Sequence, residues 1–414
     1  MLDINFIRQN PEKVKEGVKK KGYDPKIVDR VLKVDETRRQ LIGEIEKLRA
    51  ERNKLGPNEI EKGKKIKETL RRLEPGLQAI EEQLKNLLYE IPNLPSDKAP
   101  IGKDESENIE LRRWGEPKKF PFKPKDHLEL GKLLGILDFE AGAKVTGSGF
   151  YYWQAQGAIL ELALIHYAFD LLRKEGFVPI ITPDLARSRY WVGTGYLPKG
   201  PEAQTYTIEG EDLGLIATAE VTLAGKHADE IIPEEDLPLK YIGYSCCFRR
   251  EAGAYGKYSK GLYRVHQFTK AEIFIYCLPE ESPKWHEYIL QMEEKIYQNL
   301  GLPYRVVEMC TGDLGAMAAR KFDIEVWMPG RNEYGEVTST SNCTDYQARN
   351  LNIKVRRKNG KTEYLHMLNG TAIATSRTSL AILENYQQKD GSVLVPKVLQ
   401  KYTGFSKISP KNES

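Results

Sequence analysis

Apolar residues recur at seven-residue intervals in two long segments near the N-terminus, separated by Gly56-Pro57-Asn58. Such heptads are typical of two helices that pack as an antiparallel coiled-coil hairpin, with glycine and proline at the turn. We predict this hairpin over about residues 27–91. Its seam comprises Ile27, Val31, Val34, Leu41, Ile45, Leu48 and Leu55 in the first helix, and Ile66, Leu70, Leu73, Leu77, Ile80, Leu84, Leu87 and Ile91 in the second.

The hairpin pattern has two irregularities. Arg38 and Arg52 interrupt one seam row of the first helix. Pro75-Gly76 falls in the middle of the second helix, where proline removes a backbone hydrogen bond and clashes with the preceding turn. Because the apolar seam continues in register on both sides of Pro75, we predict a kink there rather than a helix end.

The composition changes after the hairpin. Six prolines occur between residues 92 and 124, and every tryptophan and cysteine lies beyond residue 113. We therefore predict a helical domain over residues 1–110, a linker over 111–124 and a second domain over 125–414. Residues 1–100 hold 23 Lys+Arg against 18 Asp+Glu, and basic residues cluster near the hairpin tip. A coiled-coil arm alone is more often a spacer or dimerisation device than an RNA reader.

The second domain has the pattern of an α+β fold. A helix is predicted from Ala155 to Leu172, followed by a strand-like stretch over residues 176–185. Strand-to-strand hairpins dominate afterwards, so an antiparallel sheet backed by helices fits better than a doubly wound parallel one. Neither GxxxxGK[ST] nor GxGxxG occurs, which excludes the P-loop and Rossmann routes to a nucleotide. The residues expected on or near one face of the helix are Ile159, Leu162, Ala163, Phe169 and Leu172.

The most informative stretch runs from Cys246 to Phe274 and reads as a strand, a glycine-containing loop and an antiparallel return strand. Alternate residues of the return strand are polar, charged or aromatic, and at period two they share one face. Charged groups are rarely buried without partners, so this face predicts a site for a polyanion beside a small polar ligand. These residues are Arg264, His266, Phe268, Lys270 and Glu272.

The stretch that begins with Phe248-Arg249-Arg250-Glu251 and ends at Glu272 resembles the second signature motif of the class II aminoacyl-tRNA synthetases. Within that class, the chain resembles the bacterial-type seryl-tRNA synthetases. The predicted helix, the strand after it and Pro183 resemble the first motif, which implies a homodimer. The stretch LNGTAIATSRTSLAILENY, with Arg377, resembles the third. The resemblance covers the whole chain, including the arm, and it implies the antiparallel class II catalytic fold.

The resemblance also implies how ATP binds, bent on the antiparallel sheet. Arg249 matches the arginine that holds the α-phosphate and the amino acid carboxylate, Phe268 the ring under adenine, and Arg377 the arginine at the far phosphate. Arg249 and Arg377 are the catalytic pair. Glu336 and Ser339 match the Mg²⁺ ligands, and no zinc is expected. The implied nucleotide-binding residues are Arg249, Arg250, Glu251, Val265, His266, Gln267, Phe268, Glu336, Val337, Thr338, Ser339 and Arg377.

The implied serine pocket combines an acidic group for the ammonium, Arg249 for the carboxylate and hydroxyl-sized polar surroundings. A site built to hydrogen-bond a hydroxyl disfavours analogues that lack it, because its own polar groups would be left unpaired. Threonine is excluded only by the lack of space for a methyl group, which discriminates less. The implied residues are Thr218, Ala219, Glu220, Arg249, Glu272, Asn369 and Thr371.

The function implied is ATP-dependent activation of L-serine to seryl-adenylate and transfer to the 3′ end of serine tRNA, and of selenocysteine tRNA where present. In the family, the coiled-coil hairpin contacts the long variable arm of the tRNA. The loop over residues 253–261 would contact the acceptor end of the tRNA. The N-terminal stretch lacks the apolar run of a secretory signal, nothing resembles a membrane span, and five cysteines without zinc-site spacing suggest reduced thiols. A cytoplasmic enzyme is expected.

Three alternatives remain open from the sequence. A carrier-loading paralogue would activate an amino acid but transfer it to a protein, and such relatives typically lack the long arm. A catalytically silent RNA-binding paralogue would have lost one of Arg249, Glu272, Glu336 and Arg377, and all four are present. A proline or threonine enzyme of the class would carry a C-terminal anticodon-binding domain, whereas this chain ends about 30 residues after the third motif.

Overall fold

The computed structural model describes residues 1–196, 203–251 and 261–410. The chain divides into two compact units, Met1–Pro95 and Ser96–Ser414. This division precedes the predicted boundary at residue 110, and part of the predicted linker is the strand Ile109–Trp114, which pairs in the main sheet. Prolines on both sides of this strand suggested a linker and outweighed the short apolar–polar alternation from Ile109 to Arg112; all six residues of the strand are exposed.

The first unit is helical, as predicted. Its longest helices form the hairpin, and Leu41, Leu48, Leu73 and Leu77 pack around a core of Ile45, Ile66 and Leu70. The second long helix runs from Ile60 to Glu90 and includes Pro75, so it does not end at this proline. Pro75 is exposed to solvent. The helices are α1 (Ile4–Gln9), α2 (Pro11–Lys20), α3 (Lys26–Asn53) and α4 (Ile60–Glu90).

A buried acid explains one of the arginines that interrupt the seam. Asp35 on α3 is fully buried and is bound by Arg8 at 2.5 Å, Arg38 at 3.2 Å and Arg39 at 3.3 Å. Burial alone would raise the pKa of Asp35, but hydrogen bonds from Arg8 and Arg38 hold it below its usual value. Arg38 therefore replaces an apolar seam residue because it neutralises a charge at the base of the hairpin, and its Nη1 lies 3.9 Å from Glu81 on α4.

The second unit is built on an eight-stranded sheet with short sheets beside it. The helices are α5 (His127–Leu134), α6 (Phe139–Thr146), α7 (Ala155–Lys174), α8 (Ser188–Thr194), α9 (Glu220–Gly225), α10 (Ser282–Asn299), α11 (Tyr346–Leu351), α12 (Thr375–Tyr386) and α13 (Gln400–Thr403). The strands are β1 (Ile109–Trp114), β2 (Leu137–Asp138), β3 (Tyr152–Trp153), β4 (Val178–Ile181), β5 (Leu185–Ala186), β6 (Tyr206–Thr207), β7 (Gly214–Leu215), β8 (Ile231–Pro233), β9 (Leu239–Phe248), β10 (Gln267–Cys277), β11 (Tyr304–Glu308), β12 (Arg320–Met328), β13 (Glu333–Asn342), β14 (Lys354–Arg356), β15 (Thr362–Tyr364), β16 (His366–Ala374), β17 (Val393–Leu394) and β18 (Lys407–Ile408).

The main sheet has the order β1-β11-β12-β13-β16-β10-β9-β4. Neighbouring strands are antiparallel except β4 and β9, which are parallel. The helices α7, α10 and α12 pack against this sheet. The α+β prediction, an antiparallel sheet flanked by helices plus a helical hairpin, is confirmed.

The two faces of β10 have different roles. Ala271, Ile273 and Ile275 belong to the main hydrophobic core, together with residues of α7 and α10. Phe268, Lys270 and Glu272 point to the opposite face, as their alternation predicts. Two members of the predicted face are misplaced, because β10 begins at Gln267 and both Arg264 and His266 precede it.

Among the described residues, one helix, α7, is long and apolar enough to span a membrane, and half of it is buried in this unit. Its predicted single apolar face divides in two. Ala163 and Leu172 are buried, whereas Ile159 and Leu162 are exposed. The helix therefore presents apolar side chains to the core and also to the surface.

Candidate active site: an acidic pocket and a charged cleft

Glu220 lies at the start of α9, next to the main sheet. Its carboxylate is buried and accepts hydrogen bonds from Gln347 Nε2 at 2.6 Å and Asn369 Nδ2 at 2.8 Å. Thr218 supports the start of the helix, since its hydroxyl accepts from the Glu220 amide at 3.2 Å. Burial, and then repulsion from Glu272, raise the pKa of Glu220 to about 7.

A second buried acid, Glu272 on β10, forms an ion pair with Lys270, with 2.5 Å between Lys270 Nζ and Glu272 Oε2. The Thr371 hydroxyl, on the paired position of β16, lies 3.5 Å from both charged groups. Burial raises the pKa of Glu272 even though Lys270 favours its ionised form. Lys270 pairs with Glu272, whereas the hydrogen-bond donors to Glu220 are neutral amides, so Glu220 is the acid that a ligand ammonium could pair with.

Arg249 connects this pocket to the sheet face beside it. It follows the last residue of β9, and its Nε donates to the carbonyl oxygen of Ala217 at 3.4 Å, next to the Thr218–Glu220 segment. Its guanidinium lies over the ring of Phe268, 5.3 Å from the centroid. The two residues predicted to hold the α-phosphate and adenine are therefore in contact with each other.

The other residues predicted to bind the nucleotide near Arg249 differ in the burial of their side chains and in the partners that those side chains already have. Glu251 has a positive φ of 47° and forms an ion pair with Arg264 at 3.1 Å, while Arg250 and Gln267 are exposed. His266 Nδ1 lies 2.9 Å from both Tyr206 Oη and the Arg249 carbonyl oxygen. Val265 is buried, so only its backbone is available to a ligand.

Arg377 lies at the other end of the site, at the start of α12. Its Nη1 is 3.1 Å from Glu336 Oε2, and its Nε donates to the carbonyl oxygen of Tyr263 at 3.1 Å. The Tyr263 ring is enclosed between Arg331 at 4.1 Å and Arg377 at 4.6 Å. Burial opposes ionisation of Glu336, but Arg377 and Lys321 outweigh it and lower its pKa to about 2.

These groups line a cleft of about 780 Å³. Its lining includes Glu336, Arg377, Arg264 and Tyr263, together with charged residues of β11 and β12. The side chains of Val337 and Thr338 point away from it: Val337 is in the core and the Thr338 hydroxyl donates to Glu293 at 2.9 Å. These two residues could therefore contact a nucleotide only through their backbone.

Within the described residues, no group of three or more His, Cys, Asp or Glu side chains is arranged to hold a metal ion. Oxygen donors are nevertheless present near Glu336. Ser339 pairs with Asp323 across β12 and β13, and Asp323 is buried with its Oδ1 lacking a hydrogen-bond partner among the described residues. Burial above all raises the pKa of Asp323 to about 7.

The structure brings the predicted serine residues together around Glu220, Arg249 and Glu272, and places Glu336 and Arg377 at the nearby cleft. It adds partners that were not assigned from the sequence, namely Gln347, Lys270, Tyr263 and Arg331. Lys270 was visible in the alternating pattern, but its neutralising role depends on burial, which the pattern does not give. The loop predicted to meet the tRNA acceptor end, residues 253–261, lies outside the described residues except for Gly261.

An antiparallel sheet with this motif order defines the catalytic core of a class II aminoacyl-tRNA synthetase. Residues 205–386 match the tRNA synthetase class II core domain (G, H, P, S and T), and residues 1–95 match the seryl-tRNA synthetase N-terminal domain. The chain belongs to the seryl-tRNA synthetase family, the ligases that join serine to tRNA.

Relatives and solved structures agree over the full length of the chain. The serine–tRNA ligase of Dictyoglomus thermophilum is 57% identical over 99% of this chain and 100% of its own, and that of Rubrobacter xylanophilus is 51% identical over 99% of both. The crystal structure of seryl-tRNA synthetase from Pyrococcus horikoshii complexed with ATP superposes with a TM-score of 0.92 at 44% identity and covers 100% of both chains.

Proposed function

We propose that this enzyme activates L-serine with ATP to give seryl-adenylate, and then transfers the seryl group to the 3′ end of serine tRNA, and of selenocysteine tRNA where the cell contains it. The observation that carries this proposal is the buried pocket of Glu220, Lys270 and Glu272 beside Arg249. We place the enzyme in the cytoplasm, where both ATP and tRNA are available. The binding of ATP by the Pyrococcus relative supports the nucleotide assignment.

In the first step, an oxygen of the serine carboxylate attacks the α-phosphorus of ATP, and pyrophosphate leaves with the electron pair of the broken P–O bond. Arg249 holds the carboxylate and the α-phosphate, since a guanidinium can bind two oxygens at once. Arg377 holds the terminal phosphates. In the second step, a ribose hydroxyl of the terminal adenosine attacks the activated carbonyl, and AMP leaves. Positioning and charge stabilisation supply the catalysis, with no protein nucleophile.

Glu336 and Ser339 fit a magnesium site, because carboxylate and hydroxyl oxygens are the hard ligands that Mg²⁺ prefers. Asp323, which pairs with Ser339 across the strands, offers a third oxygen: its Oδ1 accepts no hydrogen bond among the described residues and lies 3.6 Å from Lys321 Nζ. Magnesium would complete its coordination with phosphate oxygens and water. When bound, it neutralises charge on the departing pyrophosphate.

Serine specificity is the direct test of the pocket. In ATP–pyrophosphate exchange without tRNA, we expect serine to be activated, and alanine to be disfavoured by about 10⁴-fold because it leaves the hydroxyl-binding groups unpaired. Thr371→Val should lower kcat/KM for serine by about tenfold or more and leave that for alanine unchanged. Thr37→Val, an exposed change on α3, is the matched control.

Equal losses for serine and alanine in Thr371→Val would remove Thr371 from hydroxyl recognition. Exchange with another amino acid alone would overturn the serine pocket and keep the fold. Absence of exchange with all twenty amino acids would favour the silent RNA-binding alternative. Exchange without charging of tRNA would favour the carrier-loading alternative.

We infer that the hairpin of α3 and α4 contacts the long variable arm of the tRNA. Its tip carries exposed basic residues; Lys62 and Lys64 form ion pairs with Glu51 and Glu61. Contact through phosphates and shape, rather than base edges, fits such a surface. Further exposed basic residues of this region include Lys65, Lys67, Arg71 and Arg72.

We also propose a homodimer formed through the first motif. α7 contacts β4, and both elements expose large apolar side chains, which monomeric proteins rarely leave uncovered in numbers. The exposed fractions are 41% for Ile159, 58% for Leu162, 53% for Val178 and 80% for Ile181. Contact between two copies of this surface is the simplest way to bury it, since most soluble homo-oligomers have closed two-fold symmetry.

The double variant Leu162→Asp, Ile181→Asp is expected to be monomeric, because two charges would have to be buried in each copy of the interface. Sedimentation velocity measures this directly. Ile60→Asp is the control, since Ile60 is similarly exposed at 65% but lies on α4. A double variant that keeps the dimer mass would place the interface elsewhere.

A further inference from the structure

A buried chain of hydrogen bonds behind the nucleotide cleft joins three segments that are far apart in the sequence. Glu384 lies on α12, His127 begins α5, and Leu262 lies in the short turn Gly261–Tyr263. Glu384 Oε1 is 3.0 Å from His127 Nδ1, and the Leu262 amide donates to His127 Nε2 at 3.2 Å. All three residues are buried, so water does not compete for these bonds.

The partners of the imidazole fix its tautomer. Nε2 accepts a backbone hydrogen bond and therefore carries no proton, while Nδ1 faces a carboxylate and therefore carries one. His127 is thus a neutral imidazole oriented by Glu384, with its lone pair directed at the amide of Leu262. Gly261 has a φ of +67°, and a Cβ there would collide with the His127 ring. The turn and the imidazole are fitted directly to each other.

The same carboxylate reaches a further segment of the cleft wall. Glu384 also accepts from the His127 amide at 3.1 Å and from the Gly330 amide at 2.8 Å. Gly330 precedes Arg331, and α12 itself carries Arg377. Glu384 therefore ties together the turn that presents Tyr263 and the two segments whose arginines enclose the Tyr263 ring.

We propose that His127 is a positioning residue for the nucleotide half of the reaction. With Glu384 it sets the place of the Gly261–Tyr263 turn and, through the Tyr263 carbonyl and ring, the direction of the Arg377 guanidinium. His127 acts through Tyr263, and no step of the reaction takes a proton from it. The inference rests on the proposed assignment of Arg377 to the terminal phosphates of ATP.

Two substitutions separate the two hydrogen bonds of the imidazole. An asparagine amide can occupy the place of Nδ1 and keep the bond to Glu384, but it does not reach Leu262. A glutamine oxygen can occupy the place of Nε2 and accept from the Leu262 amide. We expect His127→Asn to raise KM for ATP in pyrophosphate exchange by about tenfold or more, with KM for serine within about twofold. His127→Gln should restore KM for ATP to within about threefold of the wild type.

Equal values of KM for ATP in His127→Asn and His127→Gln would overturn the proposal. So would a rise in KM for serine that matches the rise in KM for ATP and accompanies a loss of thermal stability. If His127→Asn does not fold, Glu384→Gln replaces it, because its amide group would face the Gly330 amide as a second donor. It should then raise KM for ATP and leave KM for serine unchanged. An unchanged KM for ATP in a folded Glu384→Gln would equally overturn the proposal.

Arg377→Ala distinguishes this inference from the function on which it rests. If Arg377→Ala raises KM for ATP while His127→Asn and His127→Gln behave alike, only the role of His127 is wrong. If Arg377→Ala leaves KM for ATP unchanged, the nucleotide assignment is wrong and the positioning role falls with it. Serine-dependent exchange by the wild type is measured in both cases and tests the proposed function alone.

Discussion

Arg249→Ala is expected to lower serine-dependent ATP–pyrophosphate exchange by about 10²–10³-fold or more, the loss typical of removing a group that stabilises charge in the transition state. Arg249 is the residue that the serine pocket and the sheet face share: it binds beside the Thr218–Glu220 segment and lies over Phe268. Its removal therefore takes away the guanidinium that both substrates would contact at the reacting atoms. The rate of adenylate formation in a single turnover should fall by the same factor.

Two variants control for this loss. Arg249→Lys keeps the charge but not the two-pronged donor geometry, so its exchange rate should lie between those of wild type and alanine variant. Arg356→Ala removes an exposed arginine of β14, remote from the pocket, and should leave exchange unchanged. Both alanine variants should keep the thermal midpoint and the oligomeric mass of the wild type. A folded Arg249→Ala enzyme with wild-type exchange would remove Arg249 from the mechanism.

Shortening the hairpin is expected to have the second large effect, on tRNA charging alone. The contact between Arg38 and Glu81 shows where α3 and α4 lie side by side near the base, with the Asp35 cluster below it. Replacing residues 41–78 by a short Gly-Ser linker therefore removes the outer arm and keeps this buried cluster. We expect kcat/KM for tRNA serylation to fall by about 10²-fold or more, because the phosphate contacts proposed for the arm would supply much of the affinity. Serine-dependent exchange should stay within about twofold.

A second variant tests the charges of the arm without shortening it: the quadruple charge reversal Lys65→Glu, Lys67→Glu, Arg71→Glu, Arg72→Glu in the full-length arm. It should also lower charging, and the dependence of the tRNA KM on salt should become flatter as phosphate contacts are lost. Full charging by the shortened enzyme would remove the arm from tRNA recognition. A loss of exchange together with charging would show that the deletion damaged the catalytic unit.

The sequence predicted the elements whose signal is local. The heptads gave the bounds of α3 and α4 closely, because burial of one seam repeats every two turns. Alternation identified Phe268, Lys270 and Glu272 as one face of β10, but it extended that face too early, since Arg264 and His266 continue the same period outside the strand. Ile109–Trp114 was missed although Ile109 to Arg112 alternate between apolar and charged residues, because the prolines on both sides of this short stretch indicated a linker.

The site residues that the sequence did not reveal depend on contacts between distant segments. Lys270 neutralises a neighbour only because both side chains are buried, and Gln347 supports Glu220 from another helix. His127 and Glu384 are 257 residues apart and carry no local pattern. Asp35 is a similar case. A charged residue in a heptad helix is expected to be exposed, and its burial depends on the ion pair with Arg8 of α1, which the local sequence pattern does not predict.

The Lys270–Glu272 pair has a consequence for which molecules can enter the pocket at all. A free amino acid is a zwitterion, so its arrival adds equal positive and negative charge to a desolvated space whose own charges are already arranged around Arg249, Glu220 and this pair. An amino alcohol would bring an ammonium without a carboxylate, and a hydroxy acid a carboxylate without an ammonium. Either would leave an unbalanced charge away from water, which costs several kcal/mol. Under the proposed serine assignment, the pocket is therefore expected to distinguish a free amino acid from an amino alcohol or a hydroxy acid, whatever the side chain.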